Sequence, residues 1–155
     1  MKGGAEVAGR LVGRILSRFG VAEFQGYPVI FSPIYPNVGA VPVGVLGTGV
    51  PSFLLCHSFV WRKHLKGKRW ATSILLHELG HLKDFEAHPW QVLPLATCRL
   101  IAPYSRTARI AQGLVLLFLE TKANLYAGRA GAHPGILGLS YLTYVYALRK
   151  ALIRR

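Results

Sequence analysis

Acidic side chains are scarce in this chain of 155 residues: six Asp and Glu stand against 19 Lys and Arg, giving a formal charge of +13. Four of the six acids, Glu78, Asp84, Glu86 and Glu120, fall within or near two short motifs, so the remaining surface reads as almost wholly basic. Such a balance favours acidic partners, either an anionic membrane surface or nucleic acid, or simply a solvated basic exterior. Cysteine is equally sparse. Cys56 and Cys98 lie far apart with no CxxC or zinc-knuckle partner, which fits reduced, buried thiols better than a disulfide framework, with a single Cys56–Cys98 bridge as the alternative. Long uninterrupted apolar runs are missing too. The stretch 24–61 carries no charged residue and has the length of a membrane span, but Pro28, Pro33, Pro36, Pro42 and Pro51 forbid a continuous helix there. No export signal is visible either: Arg10, Arg14 and Arg18 recur at steps of four beside Val7, Leu11, Ile15 and Phe19, which predicts a basic amphipathic helix over 1–20. These features suggest a cytoplasmic protein, with membrane association left open.

What remains is enough for one domain. A composition 52% hydrophobic over 155 residues supports a single core spanning 1–155. Within 24–61, the segments Tyr27–Phe31, Val38–Leu46 and Phe53–Phe59 are β-branched or aromatic and are separated by turn residues, so they are predicted strands. A basic connection over 62–69 leads into a helix from about Trp70 to Phe85. Two apolar segments follow, Trp90–Ala102 and Ile110–Leu119, joined by the polar turn Ser105–Arg109; Arg99 and Glu120 cut both short of a bilayer span and predict a buried helical hairpin, with a membrane-inserted or membrane-lying hairpin, which the basic flanks permit, as the alternative. A last helix is expected from about Pro134 to Arg155. The fold class is α+β, a small and mainly antiparallel sheet followed by a helical part over 70–155.

The predicted helix over 70–85 contains His77-Glu78-Leu79-Gly80-His81, an HExxH pattern. Residues four apart on a helix share a face, so both imidazoles can reach one metal while Glu78 is carried beside it as a general base. A catalytic zinc site requires a third protein ligand and an open fourth position. A continuation to HExxHxxGxxH fails, because Asp84 and Ala87 occupy the Gly and final His positions. His88 would need a sharp turn at Pro89 to swing back and otherwise reads as a loop residue; Glu86, near the helix end, reads as solvent-facing. Glu120 is preferred, since a carboxylate ending a strongly apolar helix is costly unless it has a task. Ala123 and Ala127 follow at the four-residue step and would let that helix pack closely on the HExxH helix.

His77-Glu78-Leu79-Gly80-His81 followed by Glu120-Thr121-Lys122-Ala123-Asn124-Leu125-Tyr126-Ala127, a Pro-Gly turn and a closing helix resembles the gluzincins, in particular the HtpX-like peptidases and minigluzincins. The resemblance runs from about Phe53 to Lys150 and implies a zincin fold, with zinc held by His77, His81 and Glu120. It also implies peptide hydrolysis with Glu78 as base, a protein or peptide substrate, and a strand, by analogy Phe53–Phe59, that pairs with it. Asn124 departs from the Asp usual in HtpX-like enzymes, though it can still accept a hydrogen bond from a liganding imidazole. His133, Tyr126 and Tyr141 are the candidate oxyanion donors. Glu-x-x-Ala-Asn is also similar to the ImmA/IrrE regulatory peptidases, though the chain has a longer His-to-Glu spacing and no recognisable DNA-binding module. A zinc-containing nucleic-acid or partner-binding module rests on charge alone, and a SprT-like protease would take a third histidine and cysteines that are absent.

Overall fold

The computed structural model describes residues 22–35, 37–47 and 50–153, so the helix expected over 1–20 lies outside the described residues. The uncharged region forms four short strands: β1 (Ala22–Phe24), β2 (Tyr27–Phe31), β3 (Val38–Val41) and β4 (Phe53–Cys56). Gln25 and Gly26, at φ 49° and 87°, join β1 to β2 in a two-residue turn whose paired positive φ angles match the twist of a tight hairpin. The sheet order is β1-β2-β4-β3. Both outer pairings are antiparallel and the central β2/β4 pairing is parallel, Val29 facing Leu54, so the sheet is mainly antiparallel as expected.

Two predicted strands are shorter than the sequence suggests. Val38–Leu46 turns at Pro42 into a 3-10 segment, Val43–Leu46. Phe53–Phe59 ends at Cys56, because the His57 ring accepts the Phe59 N–H (3.1 Å) and starts helix α1 (Ser58–Leu65) in what reads as a basic connection. Arg62 and Lys63 stand in the last turn of α1, where cations suit the helix dipole.

The remaining helices are α2 (Arg69–Ala87), α3 (Val92–Ile101), α4 (Arg106–Arg129) and α5 (Pro134–Ile153). The protein is therefore α+β, a small sheet followed by helices. Ser105 caps α4 by accepting the Ala108 N–H, so most of the expected polar turn is helix and Glu120 sits inside one long helix instead of at the end of a short one. No helix among the described residues is long and apolar enough to cross a membrane.

α2 lies at the centre. On one side Ala71, Leu75, Leu79 and Leu82, spaced for a single helical stripe, pack on Val29, Val38, Leu54 and Cys56 of the sheet. Each fully buried Leu there contributes roughly 1.5–3 kcal/mol. On the other side Gly80 meets Ala123 of α4, both Ala123 and Ala127 being fully buried, which is the close approach the small residues predict. Ser73 on α2 accepts the His133 N–H (2.8 Å) and so pins the start of α5. Asp84, near the end of α2, pairs with Lys122 of α4.

The expected helical hairpin forms, α3 packing against α4, but α3 is not buried. α3 has no buried residue, and Leu93 and Leu100 are 71% and 75% exposed. One stripe of α3, Val92, Leu95, Ala96 and Arg99, faces a cleft, while nothing among the described residues covers the opposite stripe. Cys56 is buried, Cys98 half-buried, and both are free.

Candidate metal centre

His77 and His81 project from the same face of α2, one turn apart, towards Glu120 on the adjoining stretch of α4. His77 Nε2 lies 3.0 Å from Glu120 Oε2, and His81 Nε2 lies 3.1 Å from Glu120 Oε1. One ligand atom from each of the three residues falls within 4.8 Å of the others, so the group can hold a metal ion. His77 and Glu120 are only 6% and 4% exposed.

The surroundings orient these groups. Asn124 Nδ2 donates to the Leu137 carbonyl (3.3 Å), which leaves Asn124 Oδ1 as an acceptor for His77 Nδ1–H at 2.8 Å. That bond fixes the tautomer and turns Nε2 towards Glu120, the arrangement by which an outer carbonyl or carboxylate commonly supports a liganding imidazole. Ser140 Oγ on α5 donates to Glu120 Oε2 (2.6 Å). Ala40 N–H on β3 donates to Glu78 Oε2 (3.0 Å), tethering the carboxylate between the sheet edge and the histidines.

These contacts set the protonation of the site. Burial alone would raise the Glu120 carboxyl, but hydrogen bonds from His77, His81 and Ser140 outweigh it and hold Glu120 well below the usual carboxylate range. Burial would lower His77, yet its bond to Glu120 and the nearby carboxylates raise it. Glu78 is raised, first by burial and then by the charge of Glu120, against the opposing pull of His81 and His77. Tyr144 of α5 is pushed up to about 12 by burial and by the charges of Glu120 and Glu78, so its phenol stays protonated at neutral pH.

A metal fits this cluster on its own chemistry. Two imidazole nitrogens and one carboxylate form a borderline N,N,O donor set, and tetrahedral ligands at about 2.0–2.1 Å from zinc stand roughly 3.3 Å apart, close to the observed separations. Two imidazoles face one buried carboxylate, and with His77 Nδ1 committed to Asn124 its Nε2 joins His81 Nε2 in converging on Glu120.

Compared with known proteins, the chain matches no family model, no curated protein and no solved structure. The site is therefore read from its own geometry.

The sequence-predicted group His77, Glu78, His81 and Glu120 is brought together. Glu78, His81 and Glu120 line one cleft of about 480 Å³, with β3 residues Gly39 to Val41 on one wall and the Val92–Arg99 stripe of α3 on another. His88 stays outside; it is exposed and bonds Asp84 Oδ1 at 3.1 Å. Glu86 is exposed and accepts from the Tyr27 hydroxyl. None of the three expected oxyanion donors lines the cleft. His133 sits at the head of α5 with its ring Nδ1 accepting the Gly135 N–H, Tyr126 packs against Gly80 and the core, and Tyr141 is exposed. Two other phenols line it, Tyr35 and Tyr144, and Tyr144 stands one helical turn beyond Ser140 on the same face of α5. A Ser and a Tyr four apart in an apolar helix is the sequence signal that marks this pair. The expected substrate-pairing strand is also displaced: β4 is flanked by β2 and β3 and has no free edge, whereas β3 is the outer strand beside the cleft. Strand order depends on pairings distant in sequence, which segment composition does not encode.

Proposed function

We propose that this protein is a zinc-dependent peptidase of gluzincin type, with His77, His81 and Glu120 holding the metal. The observation that carries the reading is the convergence of both HExxH imidazoles on a buried carboxylate from a second helix, with Glu78 beside them at the floor of an open cleft. Zinc bound there supplies a Lewis acid that acidifies water to about pKa 7 and polarises a scissile carbonyl.

The chain's own residues would do the rest. The outer edge of β3 offers backbone groups to an extended peptide, which adds to the sheet as a further strand. Glu78, raised by burial and held by Ala40 N–H, takes a proton from water and returns it to the departing amine. Tyr144, protonated at neutral pH, lining the same cleft and hydrogen-bonded to Glu120, would turn that O–H to the oxygen on which negative charge develops once Glu120 is taken up by the metal. Asn124 and Ser140 hold the ligand side chains in place and touch no substrate.

The test compares wild type with Glu78→Gln and Glu120→Ala. Glu78→Gln is expected to retain stoichiometric zinc by elemental analysis and to lose chelator-sensitive cleavage of an unfolded protein by about 10²–10⁴-fold. Glu120→Ala is expected to lose zinc. Full activity in the first variant, or full zinc content in the second, refutes the assignment.

A further inference from the structure

The cleft carries one feature that peptide hydrolysis does not require. Of the α3 residues that face it, Val92, Leu95 and Ala96 are apolar, and Arg99 continues the same i, i+3, i+4, i+7 stripe as an exposed guanidinium. Among the described residues no carboxylate pairs with Arg99. Asp84 is engaged by Lys122 and His88, Glu86 by Tyr27, Glu78 by Ala40 N–H, and Glu120 by the histidines and Ser140. After Glu86 the chain contains no acid except Glu120, so no acid of the helical part beyond α2 is left to neutralise Arg99.

Arg99 stands beside two phenols. Tyr35 and Tyr144 line the same cleft, and the positive charge of Arg99 opposes the burial and the Glu78 charge that raise both. The Tyr35 hydroxyl lies over Gly39 on β3, so close that a Cβ there would meet it at 2.7 Å and the Tyr35 ring would have to shift. The cleft thus runs along the sheet edge past the proposed metal and is bordered by a planar five-donor cation with no carboxylate partner among the described residues. A guanidinium held over a partly enclosed apolar surface matches a carboxylate in a paired, two-bond geometry.

We propose that Arg99 is a specificity-determining residue that recruits substrates by a carboxylate, either the free C-terminus of a peptide or an Asp or Glu side chain. The inference rests on the cleft being the peptide site proposed above. It assigns no chemistry to Arg99; the residue binds the substrate anion and positions the chain along β3.

The test separates the two claims by measuring binding without turnover. Zinc-loaded Glu78→Gln protein is titrated calorimetrically with three short apolar peptides: one with a free C-terminal carboxylate, the same peptide amidated, and the amidated peptide with one internal Glu. At least one carboxylate-bearing peptide is expected to bind about 10–100-fold more tightly than the neutral amide, and the tighter of the two identifies the source. Adding Arg99→Gln is expected to abolish the difference while leaving the weak affinity for the neutral amide unchanged, and Arg99→Lys to restore part of it. Equal binding of all three peptides, a preference that survives Arg99→Gln, or no binding of any peptide overturns the proposal. Failure of wild type to cleave any peptide, with the carboxylate preference intact, overturns the peptidase reading and leaves the recognition by Arg99 standing.

Discussion

Gly80→Ala tests the packing that assembles the metal centre. Gly80 lies inside the HExxH segment on the side of α2 that meets α4. A Cβ there would lie 2.9 Å from the Ala123 carbonyl oxygen, 3.0 Å from Ala123 Cα and 3.2 Å from Tyr126 Cβ. The first two contacts are backbone of a long helix and cannot rotate aside, so α2 and α4 must part by about half an ångström to reach ordinary contact. Overpacking of this kind costs about 1–3 kcal/mol. The Ala side chain returns about 1 kcal/mol of helix propensity, leaving a net loss of roughly 0–2 kcal/mol. For a chain of this size each kcal/mol moves Tm by about 2–4 °C, so thermal stability is a weak discriminator.

Metal affinity discriminates better. His77 and His81 ride on α2 and Glu120 on α4, so parting the helices moves one ligand away from the other two. Metal–ligand distances tolerate only about 0.2 Å. Gly80→Ala is expected to weaken zinc binding about 10–100-fold, the range seen when supports of a metal site are disturbed, as read by competition with a chromophoric chelator. Circular dichroism should show an unchanged helix content. A variant that binds zinc as tightly as wild type and melts at the same or a higher temperature would refute the claim that this contact sets the ligand geometry.

Three further outcomes follow from the site. Tyr144→Phe is expected to lower kcat by about 10²–10³-fold with KM and zinc content nearly unchanged; an equal rise in KM, or loss of metal, would make Tyr144 a support for Glu120 instead of an oxyanion donor. Asn124→Ala frees the His77 ring and is expected to weaken zinc about 10–100-fold with little change in the melting temperature of the metal-free protein; unchanged affinity would remove its orienting role. In metal-free protein the His77–Glu120 pair should give a bounded pH profile. Glu120 lies below its ordinary 4.5, so its contribution is present above that value and is lost as pH falls through the folded one. His77 lies above its ordinary 6.5, so its contribution is present below that value and is lost as pH rises through the folded one. The Tm advantage of metal-free wild type over Glu120→Gln should therefore be greatest between these ordinary values and shrink on both sides; an advantage that keeps growing above pH 7 contradicts the pairing.

The legible part of this protein was local. His77, Glu78 and His81 follow from helical spacing, Glu120 from the expense of a carboxylate in an apolar helix, and the α2–α4 contact from Ala123 and Ala127 at one helical step. The α+β order followed from prolines and turn residues that rule out a continuous helix over 24–61. What escaped depends on partners distant in sequence. The pairing of β2 with β4 pushes β3 to the sheet edge, and no composition of either segment encodes it. Ser140 and Tyr144 acquire roles because α5 folds back on α4. The start of α1 was hidden by its residues: Phe59, Val60 and Trp61 suit a strand, and the His57 cap decides otherwise. α3 looked buried because its apolar residues are many, yet they surround the helix instead of lining one side, and only one stripe meets the rest of the chain.

Helix α5 joins the metal centre to the outside of the molecule. Its inner side accepts the Asn124 amide at the Leu137 carbonyl and presents Ser140 and Tyr144 to Glu120, while its outer side exposes Leu139, Leu142 and Tyr146. Anything that grips those outer side chains and shifts the helix by a fraction of a turn would loosen the anchor of one histidine and the brace of the carboxylate together. Affinity for a metal at His77, His81 and Glu120 and occupancy of that outer face would then vary as one quantity, through a single rigid lever about ten ångströms thick.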